Sequence, residues 1–267
     1  MKQCVAFGSF EFVHRGHLKV AKRVVELAKE KRLDSKIVSC PAIGEVYTTE
    51  KEKEYLFKQQ GIDMFETVSV SRTEWLKKHG QEIEVLVVGA NCTGLQEIRE
   101  LSCRMGFQLD VLDTVKYDGK PITRELLHRV FEENDFELLT ELCGHPYILI
   151  GDVVHGKKLG RTVGMPTINL HIYKKKKRPN CGVYATKVTL GQETYKSATN
   201  IGKRPTVDDF DYVTIETFIL DFDKEIYGEI CILEIHKFLR EVKKFDSLEA
   251  VQEQVKVDVS KVYQMFA

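Results

Sequence analysis

From residue 4 to residue 115, short apolar runs alternate with amphipathic stretches of helical spacing. This alternation narrows the fold more than any other feature. CVAFGSF (4–10), SKIVSC (35–40), ETVSV (66–70), IEVLVVG (83–89) and QLDVLDTV (108–115) read as strands. LKVAKRVVELAKEKR (18–32), EKEKEYLFKQQG (50–61) and LQEIRELSCRMG (95–106) read as helices. Strands separated by helices of about 10 to 15 residues predict a parallel sheet with helices on both faces. Such sheets bind ligands at the carboxyl ends of their strands.

After residue 147 the pattern changes. YILIGDVVHG, GVYATKVTL, ETYKSATNIG, TIETFILDF and EICILEIHKFL are β-rich and joined by short turns. They predict an antiparallel barrel or sandwich. SLEAVQEQVKVDVSKVYQMF returns to helical spacing and closes the domain with a helix. Between the halves, GHPY (144–147) carries a glycine that ends one helix and a proline that blocks its continuation. It divides the sequence into domains 1–143 and 144–267.

Composition removes several function classes. Forty Lys and Arg balance forty Asp and Glu, which argues against a general nucleic-acid or membrane-surface binder. No apolar run reaches the roughly 18 residues of a membrane span. No charged-then-apolar leader precedes the first strand, so a cytoplasmic location is expected. Seven scattered cysteines without a CxxC pair read as small buried hydrophobes in a reducing compartment. KKKKR (174–178) reads as a solvated loop.

GDVVHGKKLGRTVGMPTINL (151–170) is the densest stretch. Gly156, Gly160 and Gly164 free the backbone to turn N–H groups toward phosphate oxygens, and Lys157 and Arg161 can offset phosphate charge. Thr167 and Asn169 are two residues apart. On an extended segment both point to one side, as oxygen ligands of a hard cation would. By chemistry alone a glycine-rich hairpin explains the same residues.

This stretch resembles the signature of riboflavin kinases. GVYATKV (182–188), NIGKRPTV (200–207), IETFILDFDKEIYGE (215–229) and FLREVKKFDSLEAVQEQVKVD (238–258) follow in that family's order. The resemblance implies a small β-barrel that transfers the ATP γ-phosphate to the 5′-hydroxyl of riboflavin, giving FMN. It implies that Thr167 and Asn169 hold Mg²⁺ (or Mn²⁺) with ATP as co-substrate, and that Glu216 is the general base. Gly156, Lys157, Gly160, Arg161 and Gly164 would bind ATP phosphates, and Arg240 would lie on the flavin side. Phe218 stands where the family commonly has histidine.

GSFEFVHRGH (8–17) is similar to the G-x-F-D-x-x-H-x-G-H motif of adenylyltransferases with an HxGH signature. In two-domain bacterial flavin enzymes, that Rossmann-like nucleotidyltransferase module precedes the kinase module, in the order met here. Gly8, Phe10, His14, Gly16 and His17 would form the nucleotide site at a strand–helix junction, where backbone N–H groups and the helix dipole favour phosphate. The match has departures. Glu11 replaces aspartate, and Phe12 replaces the usual glycine. Ala90-Asn91-Cys92-Thr93-Gly94 replaces an aromatic flavin segment after Gly89. In ITRELLH (122–128), Thr123 keeps a hydroxyl, but Arg124, Glu125 and His128 stand where that family has Ser, Thr and Arg.

The expectation is therefore a riboflavin kinase behind a nucleotidyltransferase-like module with weakened FMN adenylyltransferase chemistry. The alternatives are a fully bifunctional FAD-synthesising enzyme, and a monofunctional kinase whose first half only binds nucleotide or flavin. Riboflavin, FMN and ATP are the expected partners, with no nucleic acid, membrane or required protein partner.

Overall fold

The computed structural model describes residues 2–155, 166–204 and 212–267. The chain divides into two compact units, Met1–Leu127 with Leu142–Gly144, and His128–Glu141 with His145–Ala267.

The first unit contains β1 (Gln3–Gly8), α1 (Arg15–Lys31), β2 (Asp34–Ser39), α2 (Glu50–Gln59), β3 (Met64–Thr67), α3 (Arg72–His79), β4 (Ile83–Gly89), α4 (Leu95–Met105) and β5 (Gln108–Leu112). The five strands are all parallel, in the order β3-β2-β1-β4-β5. The order reverses between β1 and β4, which opens a crevice at their carboxyl ends. One face packs Phe7, Val38, Leu86 and Val88 against Trp75, Leu76, Ile98 and Leu101. The amphipathic α1 buries Val20, Val24 and Leu27, and its last turn carries Lys29 and Lys31, which suit the negative end of the helix dipole. The hairpin β6 (Lys116–Tyr117) and β7 (Lys120–Pro121) leads to α5 (Arg124–Glu132).

Two local features differ from the sequence expectation. The first strand stops at Gly8, because Phe10, Phe12 and Val13 adopt positive φ and fold residues 11–13 into a 3-10 turn. In addition, α3 links two strands that the apolar pattern placed in direct succession. Two parallel strands of one sheet need such a crossover. Its signal was Ser71-x-x-Glu74, a capping box in which each residue bonds the other's backbone N–H.

In the second unit α6 (Phe136–Cys143) is followed by β8 (Tyr147–Val154), β9 (Thr167–Ile172), β10 (Gly182–Leu190), β11 (Glu193–Arg204), β12 (Tyr212–Ile219), β13 (Ile230–Arg240) and α7 (Leu248–Met265). The six strands close a barrel in the order β10-β11-β12-β9-β8-β13. Thr186, Ser197, Thr199 and Thr217 form a buried chain of hydroxyl contacts of 2.7 to 2.9 Å. Each buried hydroxyl thereby keeps a partner. Phe131 and Phe136 pack on Tyr147 with ring centroids 4.9 and 6.1 Å away, and Phe136 also meets Tyr184 at 5.6 Å. Helical residues 128–141 thus belong to the barrel's core.

The KKKKR segment is only partly a solvated loop. Lys176 is buried, with its ammonium 4.1 Å from the centre of the Tyr147 ring, a cation–π contact that uses the lysine's apolar stem. The cysteines also divide. Cys4, Cys143 and Cys231 are buried, and burial pushes the Cys143 and Cys231 thiols up to about 12. Cys103 and Cys181 are exposed, whereas the pattern predicted buried hydrophobes.

Candidate functional site

The histidine pair stands at the carboxyl end of β1. His14 is the N-cap of α1, and its Nδ1 accepts a hydrogen bond from the Gly16 N–H at 3.1 Å. His17 stacks on it with ring centroids 3.8 Å apart and 29° between planes. A Cβ at residue 16 would come within 2.8 Å of the His14 ring, so glycine there permits the stack. Phe10 meets His17 edge-on at 5.2 Å. Burial, then the neighbouring His14 and the Lys53 ammonium, hold the His17 pKa well below the ordinary imidazole value. His17 is therefore neutral near pH 7, and its buried Nδ1 makes no hydrogen bond among the described residues.

A cleft of about 300 Å³ opens beside the pair. Gly8, Phe10, His14, Gly16 and His17 all line it, together with Gly89 at the end of β4 and Leu112 at the end of β5. All five residues read from the motif therefore share one crevice, at the point where the strand order reverses. Asn91, Cys92 and Thr93, from the segment without the aromatic residues, also line it.

The two motif departures have structural roles. Glu11 is buried, its Oε2 accepts the Tyr47 N–H at 2.8 Å, and its Oε1 lies 3.6 Å from Lys53 Nζ. Lys53 is fully buried and also pairs with Glu50 at 2.7 Å. Phe12 stacks on Tyr47 at 4.2 Å. The longer carboxylate and the added ring thus lock residues 11–13 to the loop before α2. Among residues 122–128, Ile122 lines the cleft, while Thr123 accepts the Leu126 N–H and starts α5. Arg124 and Glu125 are exposed in the first turn of that helix.

In the barrel, register assembles the second candidate site. Glu216 on β12 is directly opposite Asn169 on β9, and Phe218 is opposite Thr167. Opposed residues of an antiparallel pair share a face, with Cβ atoms about 4.5–5.5 Å apart. Thr167, Asn169 and Glu216 therefore lie on one face of the barrel wall, and Glu216 is partly exposed there. Asn200 on β11 opposes Glu216 from the other side. The Asn200 position was missed in the sequence because nothing there fixes the β11–β12 register. Thr167 also lines a cleft of about 460 Å³ with Pro166, Phe222, Lys224 and Tyr227.

Both sites stand in recognisable domains. The riboflavin kinase family model matches residues 143–266, and the cytidylyltransferase-like model matches residues 5–137. The bifunctional riboflavin kinase/FMN adenylyltransferase of Pseudomonas fluorescens is 30% identical over 284 residues, 96% of this chain and 91% of its own. The chain belongs to the bifunctional riboflavin kinase/FMN adenylyltransferase family. The Bacillus subtilis relative of that name is 28% identical, covering 100% of this chain and 93% of its own. The crystal structure of the macrolide-efflux protein from Streptococcus pneumoniae superposes with a TM-score of 0.82 at 22% identity, over 98% of this chain and 94% of that one. At that identity it shows a shared fold. Among the described residues, no helix is long and apolar enough to cross a membrane.

Membership in this family fixes the two domain types, and the remaining expected residues can be located against them. Gly156, Lys157, Gly160, Arg161 and Gly164 lie outside the described residues. Phe218 packs with Ala198, Leu220 and Val262 of α7, which accounts for an apolar residue there. Arg240 is held by Asp258 of α7. Its Nε reaches both carboxylate oxygens at 3.0 and 3.1 Å, and its Nη2 reaches Oδ2 at 2.7 Å. Asp258 is buried, and Gln254 donates to it as well.

Proposed function

We propose that residues 144–267 phosphorylate riboflavin at its 5′-hydroxyl with Mg-ATP, and that residues 1–143 form an FMN adenylyltransferase-like module with weakened chemistry. The observation that carries the kinase assignment is the β9–β12 register. It brings the carboxylate of Glu216, from the 215–229 segment, onto one face with the amide and hydroxyl of the 151–170 signature.

Glu216 accepts the proton from the ribityl hydroxyl as that oxygen attacks the γ-phosphorus. The carboxylate suits this role as the basic group on that face, where it is partly exposed. The donor set fits a hard divalent cation, since Thr167 and Asn169 offer neutral oxygens on the face that carries Glu216. Mg²⁺, or Mn²⁺ in its place, neutralises phosphate charge when bound. Thr167 and Asn169 hold and orient the nucleotide end of the site, next to the cleft that Thr167 lines. Arg240 acts through its bond to Asp258, which fixes α7 on β13, and so positions the wall on the flavin side.

In the first module, His14 and the neutral His17 are placed to donate hydrogen bonds to a phosphate. The adenylylation step is weakened because residues 122–128 offer one apolar lining residue, Ile122, where a phosphate-gripping loop is needed. Losing one charged hydrogen bond and two neutral ones would lower the rate by about 10²–10⁴-fold if the losses add. Riboflavin, ATP and Mg²⁺ supplied together, with FMN and FAD separated afterwards, test both parts. FMN with little FAD is expected. FAD formed as fast as FMN would establish a fully bifunctional enzyme and refute the weakening. No FMN would remove the kinase assignment.

A further inference from the structure

Arg72 has no place in either motif, yet it lines the cleft beside the histidine pair. It is the first residue of α3, and Ser71 and Glu74 fix the start of that helix by their reciprocal caps. Among the described residues lining the cleft, Arg72 is the only guanidinium; Lys19 and Asp113 are the other full charges. The Lys19 ammonium donates to the Asp113 carbonyl at 3.0 Å, which holds it on the β5 side.

Arg72 is only partly used. Its Nη1 donates to the Thr93 carbonyl at 2.9 Å, and its guanidinium lies 5.8 Å from the centre of the Phe7 ring. Its Nε is buried and has no hydrogen-bond partner among the described residues. In a guanidinium, the Nε–H and one Nη2–H form a parallel fork that matches two oxygens of a phosphate. Bonding at Nη1 leaves this fork intact. A buried N–H without a partner forfeits the hydrogen bond it would make in water, so such a group calls for a ligand. Phe7 and Thr93 meanwhile fix the side chain before any ligand arrives, which lowers the entropy lost on binding.

We propose that Arg72 is a phosphate-holding residue of the N-terminal cleft, gripping a phosphoryl group of the bound nucleotide through its Nε–Nη2 edge. This rests on the nucleotidyltransferase-like assignment of the module. The phosphoryl group belongs either to the ATP chain or to the phosphomonoester of FMN, and both present the same pair of oxygens. The assignment also supplies a cation that residues 122–128 do not place in the cleft.

Cys92 lines the same cleft and is partly accessible, so it reports occupancy of this module alone. The full-length protein is treated with iodoacetamide, and Cys92 alkylation is followed by peptide mass spectrometry. Four ligands are titrated: ATP, FMN, and their phosphate-free counterparts adenosine and riboflavin. In the native protein a phosphorylated ligand should slow alkylation. In Arg72→Gln its half-protecting concentration should rise about 10- to 100-fold, while adenosine and riboflavin should protect as before. Arg72→Lys, which keeps a cation, should fall between. A shift confined to ATP assigns the triphosphate, and one confined to FMN assigns the phosphomonoester. Unchanged protection by ATP and FMN in Arg72→Gln would overturn the proposal alone, as would an equal shift of all four ligands, which marks a structural role through Thr93. No protection by any ligand in the native protein would overturn the nucleotide assignment and the proposal with it.

Discussion

The Arg240–Asp258 pair separates a structural arginine from one that binds flavin. Asp258 is 2% exposed and the Arg240 side chain 14% exposed, so water screens the pair poorly. Removing one partner of such a pair leaves the other charge buried and costs about 3–5 kcal/mol. For a domain of this size each kcal/mol lowers Tm by roughly 4 °C, which predicts a fall of about 10–20 °C. The assay is a double-mutant cycle. Thermal unfolding is recorded for Arg240→Gln, Asp258→Asn and the double variant, together with KM for riboflavin. Each single variant should be strongly destabilised, and the double variant should lose clearly less than the sum. KM should move in parallel in both single variants, because each frees α7. Losses below about 1 kcal/mol, with KM raised in Arg240→Gln only, would show that the pair does not anchor α7 and put the guanidinium on the flavin.

Two further outcomes follow from packing and charge. The depressed His17 pKa means that the unfolded chain takes up a proton as pH falls below about 6.5 while the folded chain does not. Stability from this residue is therefore complete above that value and is lost as pH drops toward the folded pKa. Unfolding curves from pH 8 to pH 5 should show a steeper acid loss for the native protein than for His17→Gln, and identical slopes would contradict it. A fragment beginning at residue 144 lacks Phe131 and Phe136, both nearly fully buried against barrel aromatics. Each is worth about 3–5 kcal/mol, which together rivals the whole stability of a domain. A fragment from residue 122 should unfold cooperatively, whereas the shorter one should not; equal Tm values would refute this.

Much of the architecture was legible because burial leaves a periodic trace. The central strands β1 and β4 are buried on both faces and appear as apolar runs, and α1 shows one apolar stripe. The barrel strands and α7 were visible for the same reason. α3 was not, because it is short and only Trp75 and Leu76 carry its buried face; its capping box was the available sign. The role of residues 128–141 was hidden too, since sequence cannot tell that Phe136 packs on Tyr184 across the fold. At the sites, motif spacing brought His14 and His17 together locally. The opposition of Glu216 to Asn169 and Asn200 depends on strand register, which spacing does not encode. Lys176 and Arg240 show the limit of charge as a guide. The first reads as part of a solvated loop and the second as a flavin-side residue, yet one is buried over Tyr147 and the other is held by Asp258.

The proposed chemistry rests on Glu216 as the base that activates the riboflavin hydroxyl. Glu216→Gln keeps the size of the side chain and a hydrogen-bonding oxygen but removes the basic carboxylate. FMN formation from riboflavin and Mg-ATP should fall about 10²-fold or more, with KM for riboflavin and the unfolding temperature near their native values. Turnover within a few-fold of the native protein would contradict the account and remove Glu216 from the chemistry.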